Sequence, residues 1–188
     1  MSMTPTAAPR ERLLRAAADL FYAEGSSAVG VERLCRTAGV SKKSMYQLFA
    51  TKDEVIAESL RVHGPATIAA YFPDPAADLP PRERILYVFA RLEENSESPS
   101  FHGCPLVNAA IELHNPSHEA SMVALSLKKE MESYFLRQAE QLEVADPAFL
   151  AAQLVLLFDG CSVRAVMRGE PLAGLALRAA KHLLDTAA

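Results

Sequence analysis

Apolar residues spaced three and four positions apart, with glycine and proline between the runs, recur along the whole 188-residue chain. This spacing is typical of amphipathic helices, whereas the alternating pattern of β-strands is scarce. The pattern predicts helices over residues 10–24 and 31–37, with Gly25 and Gly39 as C-terminal stops. Ser41 is a good N-cap for a third short helix. The chain is therefore predicted to be all-α, with about nine helices.

A fourth helix is predicted to open at Thr51, which can cap it while Glu54 reaches back to the Thr51 amide. Gly64 and Pro65 are expected to break or kink this helix. Four prolines between residues 72 and 81 indicate a connection. The remaining predicted helices cover residues 82–95, residues 105–114, a segment from a Ser117 cap to about Val144, a segment from Asp146-Pro147 to Gly169, and a last segment that starts at Pro171.

The segment from Val31 to Lys52 has two short helices on either side of a glycine-containing turn, which is the helix-turn-helix arrangement. Met45, Leu48 and Phe49 form the apolar face of the second of these helices, and helical spacing directs Met45 and Phe49 toward a core. The side chains expected to contact DNA are Lys42, Lys43, Ser44, Tyr46, Gln47 and Lys52. Lysine donates to guanine, glutamine pairs with adenine, and a tyrosine hydroxyl suits a phosphate. Lys52 stands where a helix dipole also favours an anion.

The N-terminal third carries a pattern of small, apolar and glycine residues in a specific order and spacing. Its members are Ala17, Leu20-Phe21, Gly25, Leu34, Ala38-Gly39-Val40-Ser41, Met45-Tyr46, Phe49 and Lys52. This pattern resembles the tetracycline-repressor (TetR) family. The resemblance implies a three-helix DNA-binding domain, a linking helix, and a C-terminal domain that binds a ligand and forms a dimer. Most members of that family repress transcription and are induced by a small molecule.

Four positions depart from the usual pattern of the family. Gly30 replaces a Ser or Thr that often caps the second helix, so a phosphate contact is expected to be lost. Leu48 replaces a residue that is often His, which weakens the assignment of its neighbours to DNA. Cys35 replaces a usual Ala, and Lys43 replaces a common Gly and adds a charge beside Lys42.

Charge is unevenly distributed along the chain. Up to His63 there are 9 Lys/Arg and 7 Asp/Glu, whereas the rest of the chain has 10 and 16. The N-terminal third is therefore the natural face for a polyanion. The predicted domains are a disordered arm over residues 1–9, a DNA-binding domain over 10–50, and a linking helix with a ligand-binding and dimerisation domain over 51–188.

The last two predicted helices are unusually apolar and rich in alanine. They are expected to form a homodimer interface, with completion of a monomer core as the alternative. The apolar run Ala151–Phe158 is too short to cross a bilayer, and no secretory signal is visible, so a soluble cytoplasmic protein is expected. The chain carries no phosphate loop, dinucleotide fingerprint or nucleophile elbow, so neither enzyme activity nor a cofactor is predicted.

A small organic inducer is expected to contact residues in the C-terminal part of the chain. The candidates are Phe101, Cys104, Asn108, Glu112 and Phe158. Asn108 and Glu112 are four apart and share a helical face, although a surface role for Glu112 is equally open. Cys35, Cys104 and Cys161 match no disulfide or metal motif. His102, His114 and His118 lack a partner at ligand spacing, so no metal site is predicted.

These features predict a ligand-responsive repressor that binds a near-palindromic operator as a dimer and is released by a small organic inducer. Two alternatives stay open at this point. One is a helical small-molecule-binding protein that has lost DNA binding, and the other is a redox-sensing regulator or an activator on the same scaffold, with Cys104 as the sensor.

Overall fold

The computed structural model describes residues 7–187, and over that range the chain forms nine α-helices, one 3₁₀ turn and no strand. The helices are α1 (Pro9–Glu24), α2 (Val31–Ala38), α3 (Lys42–Leu48), α4 (Lys52–Ala69), α5 (Pro81–Ser96), α6 (Pro105–Leu113), α7 (Glu119–Ala139), α8 (Pro147–Arg168) and α9 (Leu175–Thr186), with the 3₁₀ turn at Glu140–Leu142. The all-α prediction is confirmed. Residues 1–6 of the predicted arm lie outside the described range, while Pro9 is the first residue of α1.

The chain divides into two compact units that are not continuous in sequence. The first contains the residues up to Pro65 together with Asn108–Ala124, and the second contains Ala66–Val107 and the residues from Leu125 on. The end of α6 and the start of α7 therefore belong with the N-terminal helices.

The first unit is built around the packing of α1, α2 and α3. Its buried core includes Leu13, Leu14, Ala17, Val29, Leu34, Met45, Phe49 and Val55. A smaller cluster joins Ile56 and Ala57 of α4 to Ala120 of α7. At the surface, Glu58 of α4 pairs with Arg10 of α1 and with Arg61, and Arg61 pairs in turn with Glu119 at 2.8 Å.

The turn between α2 and α3 is fixed by its own backbone and by one arginine. Gly39 lies in the left-handed region at φ +62°, and the amide of Val40 donates to the Cys35 carbonyl at 3.0 Å. The guanidinium of Arg12 donates to the carbonyls of Ala38 (3.0 Å) and Gly39 (3.2 Å). A cation is favourable at the C-terminus of a helix, so Arg12 stabilises the end of α2.

The second unit is formed by packing among α5, α8 and α9, with residues of α7 in its core. Phe89 and Phe135 stack with ring centroids 5.9 Å apart. The last helix starts at Leu175, not at Pro171 as predicted, because Ala173 (φ +51°) and Gly174 (φ +84°) are both left-handed. Glu93 of α5 then caps the first turn of α9 by accepting from the Leu177 amide at 3.0 Å.

Two other predicted helix boundaries differ from the structure. Pro65 does not end α4, which continues to Ala69; proline forfeits one backbone bond, and the residues after it retain their helical hydrogen bonds. The long helix α7 starts at Glu119, where His118 Nδ1 accepts from the Ala120 amide, and not at a Ser117 cap. It ends at Ala139, before the left-handed residue Glu143.

Helix α8 begins as predicted, with the Asp146 carboxylate accepting from the Phe149 amide at 2.9 Å. The helix has 22 residues and is therefore longer than the apolar run Ala151–Phe158, which is too short to cross a bilayer. Of the described helices, it is long and apolar enough to cross a membrane by length and composition alone. The core helix of a soluble protein can have the same length and apolar composition, so one such helix does not indicate a membrane protein.

We predict that Gly39→Ala destabilises the protein by about 1–2 kcal/mol, because a Cβ is unfavourable at a positive φ. No atom lies within 4 Å of the added Cβ, so the cost is conformational and not steric. Urea denaturation measures the change. Gly39→Asn is the control and should lose less, since asparagine tolerates the left-handed region. Equal stability of the alanine variant and the wild type would contradict this account of the turn.

Candidate nucleic-acid interface

The helix α3 has one buried side and one exposed side. Met45 is completely buried and Phe49 nearly so, both in the core of the first unit. The sulfur atoms of Met45 and Cys35 lie 3.6 Å apart, so Cys35 is a packed core residue. These contacts leave the opposite side of α3 to solvent.

The exposed side of α3 carries most of the residues predicted to contact DNA. Lys42, Lys43, Tyr46 and Gln47 are all exposed. Ser44 differs, because it is half-buried and its amide donates to the Ser41 hydroxyl at 3.0 Å. The two hydroxyls lie 2.9 Å apart. Ser44 thus takes part in the N-cap of α3, as well as facing outward.

Leu48 is not part of the buried face, as the spacing suggested. It is 39% exposed, beside Tyr46 and Gln47 on the outer side. It is the last residue of α3. The prediction that Leu48 shares the apolar face of Met45 and Phe49 is therefore wrong, and its apolar side chain contributes to the candidate interface.

A glutamate that sequence reasoning missed lies next to the first lysine of α3. Glu32 Oε2 is 3.3 Å from Lys42 Nζ, and both side chains are largely exposed. An exposed pair of this kind contributes little stability and is screened by salt. Lys42 is therefore free to exchange Glu32 for a phosphate or a base edge. Its partner sits ten positions earlier, across the turn, where periodicity within one helix gives no signal.

The start of α4 lies beside the end of α3 and presents Lys52, which is half-buried. Thr51 caps the helix as predicted, since its hydroxyl accepts from the Glu54 amide at 3.1 Å. Glu54, however, accepts from the amide of Ala50 at 2.7 Å, and the predicted bond to the Thr51 amide is replaced. The turn at residues 49–51 brings the earlier amide closer to the carboxylate.

Gly30 occupies the N-cap of α2 without a side-chain cap. Its φ of −75° suits any residue, and no atom lies within 4 Å of an added Cβ. The first amides of α2 thus lack the hydroxyl that serine or threonine would provide. The loss of a phosphate contact at Gly30 stays a prediction.

The sequence and the fold both match known regulators. The family model described as "Bacterial regulatory proteins, tetR family" matches residues 13–59. A solved TetR transcriptional regulator from Streptomyces avermitilis is 46% identical, over 96% of this chain and 98% of that chain, with a TM-score of 0.92. This chain belongs to the TetR family. No curated protein sequence matches it.

Two more distant structures share the fold of this TetR-family chain. A TetR-family regulator from Streptomyces coelicolor is 24% identical with a TM-score of 0.82, and each chain is covered to 95%. The reduced form of NemR from E. coli is 21% identical with a TM-score of 0.81, over 93% of this chain and 95% of that chain. At this identity they support the architecture alone.

The residues predicted to contact an inducer fall into both units of the TetR-family chain. Phe101, Cys104 and Phe158 belong to the second unit, while Asn108 and Glu112 belong to the first. In the second unit, Phe158 is completely buried and meets the Tyr71 ring edge-on at 4.9 Å. Phe101 and Asn108 are half-buried.

A lysine that sequence reasoning did not single out lies beside Phe158. Lys128 Nζ is 4.8 Å from the centroid of the Phe158 ring and 2.6 Å from the Asp159 carboxylate. Lys128 is half-buried on α7, and its charge has Asp159 as a partly exposed counter-ion. In the sequence Lys128 stands in the polar run Lys128-Lys129-Glu130, so no local signal separated it from a solvent-exposed charge.

Burial governs the chemistry of the three cysteines. It raises the pKa of the Cys104 thiol, and the nearby charge of Lys128 only partly offsets this effect. The pKa values of Cys35 and Cys161 are also raised, mainly by burial. Because the thiolate is the reactive form, these environments do not favour Cys104 as a redox sensor.

Glu112 has partners other than those expected of an inducer contact. Its carboxylate accepts from the amide and hydroxyl of Ser26, at 2.8 and 3.0 Å, and from the amide of Ser27. Burial raises the pKa of this carboxyl, but the hydrogen bonds from Ser27 and Ser26 outweigh it, and the net pKa is lowered. Glu112 is therefore held as an anion in the turn between α1 and α2.

We predict that Gly30→Ser stabilises the TetR-family chain by about 0.5–1 kcal/mol, through the new cap and the lower entropy of the unfolded chain. The thermal midpoint should rise by roughly 2 °C, measured by circular dichroism. Gly30→Ala is the matched control, since it restricts the unfolded chain equally but adds no hydroxyl. If the alanine variant is as stable as the serine variant, the hydroxyl does not cap α2.

Proposed function

We propose that this TetR-family chain is a ligand-responsive transcriptional repressor. It would bind a near-palindromic operator as a homodimer and be released by a small organic inducer. The observation that carries the DNA-binding half of the proposal is the outward side of α3, where Lys42, Lys43, Tyr46 and Gln47 are exposed on a helix anchored by Met45 and Phe49.

The chemistry of this side suits the major groove of DNA. Lysine donates to the O6 and N7 atoms of guanine, and glutamine can pair with both hydrogen-bonding groups of adenine. The Tyr46 hydroxyl and Lys52 at the start of α4 suit backbone phosphates, because the amides of a helix N-terminus also attract an anion. We assign Ser44 to the same contact set. The DNA-binding domain is proposed to cover residues 10–50.

The proposed dimer rests on a continuous apolar stripe along α8. Phe149, Leu156, Val163 and Met167 are exposed and spaced seven, seven and four residues apart, which places them on one face. Gly160 lies on the same face with open space around it, so a second helix can approach closely. Exposed apolar stripes of this length favour a protein partner. A second copy of the chain, paired through α8 and α9, would place two copies of α3 in successive major grooves.

Release by an inducer requires that the inducer bind the DNA-competent and DNA-incompetent states unequally. We propose that Phe101, Cys104 and Phe158 of the second unit contact it, with residues 51–188 as the linking, ligand-binding and dimerisation part of the chain. A soluble, cytoplasmic location accompanies this function.

We predict that Lys42→Ala with Lys43→Ala lowers the affinity for an operator at least about tenfold, because base and phosphate contacts are lost together. The operator is first selected from the DNA upstream of the gene, with a scrambled duplex for comparison. Gel-shift titrations across salt concentrations then give the affinity and its salt dependence. The slope of log affinity against log salt should fall by about one for each lysine that contacts a phosphate.

The control is Lys129→Ala with Arg137→Ala, which removes the same charge from exposed positions on α7 in the second unit. This variant should keep its operator affinity. Equal affinity of the Lys42/Lys43 variant and the wild type would contradict the assignment of α3, and equal binding of both duplexes by the wild type would contradict a specific operator.

We predict that Leu156→Glu converts the dimer to a monomer, because it puts a charge on the apolar stripe of α8. Leu156 is 72% exposed, so its replacement removes no core contact of the chain. Light scattering after size exclusion should give a mass near the 20.4 kDa of one chain, where the wild type has twice that mass. Leu125→Glu, at an exposed leucine of α7, should leave the dimer intact. A dimeric Leu156 variant would place the interface elsewhere.

A further inference from the structure

A carboxylate near the end of α6 holds the turn that joins α1 to α2. Glu112 lies 86 positions after Ser26, yet it accepts three hydrogen bonds from Ser26 and Ser27. Two of the donors are backbone amides, so the carboxylate fixes the path of the main chain as well as one side chain. Hydrogen bonds to an ionised acceptor are about twice as strong as neutral ones.

The residue that precedes the turn is adapted to this contact. Gly25 ends α1 at φ +85°, a conformation that favours glycine. A Cβ at this position would lie 3.1 Å from Oε1 of Glu112. Glycine therefore permits both the left-handed backbone and the close approach of the carboxylate.

The turn leads directly into the helix-turn-helix. Ser26 and Val29, near the two ends of this turn, are both buried. Helix α2 begins two residues later, at Val31. Because α2 packs against both α1 and α3, the path of residues 25–30 determines where α2 starts. The position of α2 in turn sets the position of α3 and of the Glu32–Lys42 pair.

We propose that Glu112 is a positioning residue for DNA binding: by holding the Ser26–Ser27 turn, it places α2 and α3 in the geometry that fits an operator. This inference rests on the proposed function, since it concerns the affinity for the operator. Glu112 itself contacts no DNA in this proposal. It acts through the turn, from a segment far from the helix-turn-helix in sequence.

The decisive variant is Glu112→Gln in the full chain, which keeps the shape but loses the charge and one acceptor. We expect operator affinity to fall about tenfold, since three hydrogen bonds to a charged group are weakened together. The salt dependence of binding should stay as in the wild type, because no phosphate contact is removed. Amide hydrogen exchange at Ser26 and Ser27 should become at least about tenfold faster.

Three further variants separate position from charge and from folding. Glu11→Gln removes the same charge from an exposed site on α1 and should bind DNA as the wild type does. Glu112→Asp keeps the charge but is shorter by one methylene, and should lose affinity as Glu112→Gln does. Ser26→Ala leaves both backbone donors in place and should lose the least. Circular dichroism melts of all variants select a temperature at which each is folded.

The outcomes distinguish this inference from the proposed function. If the wild type binds the operator and Glu112→Gln binds equally well, the positioning role is overturned, whatever the exchange rates. Unchanged exchange at Ser26 and Ser27 overturns the role of the carboxylate in the turn itself. If Glu112→Gln is weaker but Glu112→Asp is not, charge and not position is responsible. A wild type that selects no operator overturns the proposed function, and the DNA-positioning role of Glu112 with it.

Discussion

The burial of Met45 and Phe49 against α1 and α2 is the interaction on which the candidate DNA-binding surface depends. Helix α3 has only seven residues, and isolated helices of that length are unstable in water. Its helical form therefore comes from packing in the core of the first unit and from the Ser41 cap. Because Met45 and Phe49 face inward, Lys42, Lys43 and Gln47 face outward as a geometric consequence.

Electrostatics refine what packing sets in place. Glu58 bridges Arg10 and Arg61. Burial raises the pKa of Glu58, but the hydrogen bonds and charges of these two arginines outweigh burial, so the net pKa is lowered. Arg10 also lies over the Phe49 ring, 5.6 Å from its centroid, so one guanidinium contacts α4 and the anchor of α3. The acidic residues of the first unit are thus partly neutralised by neighbouring cations. A phosphate that approaches α3 meets less repulsion than the net charge of the chain suggests.

The features predicted correctly from the sequence are those with local causes. Gly39 stops α2, Ser41 caps α3 and Asp146 caps α8, each within a few residues of the helix end. The missed features depend on residues distant in sequence. The start of α9 is capped by Glu93, and Glu112, for which a ligand contact and a surface position were equally open, contacts the turn at Ser26. Periodicity assigns a side chain to a face but does not identify the element opposite that face.

The two units differ in how their exposed apolar residues are arranged. In the first, α1, α2 and α3 bury their apolar sides against one another, and the exposed Leu48, Ile111 and Met122 lie on three different helices. In the second, α8 buries Leu150, Leu154 and Phe158 but leaves Phe149, Leu156 and Met167 exposed. An apolar stripe exposed to water is unfavourable until a partner covers it. The proposed pairing along α8 would remove this cost, because the stripe of one copy would be covered by the stripe of a second copy.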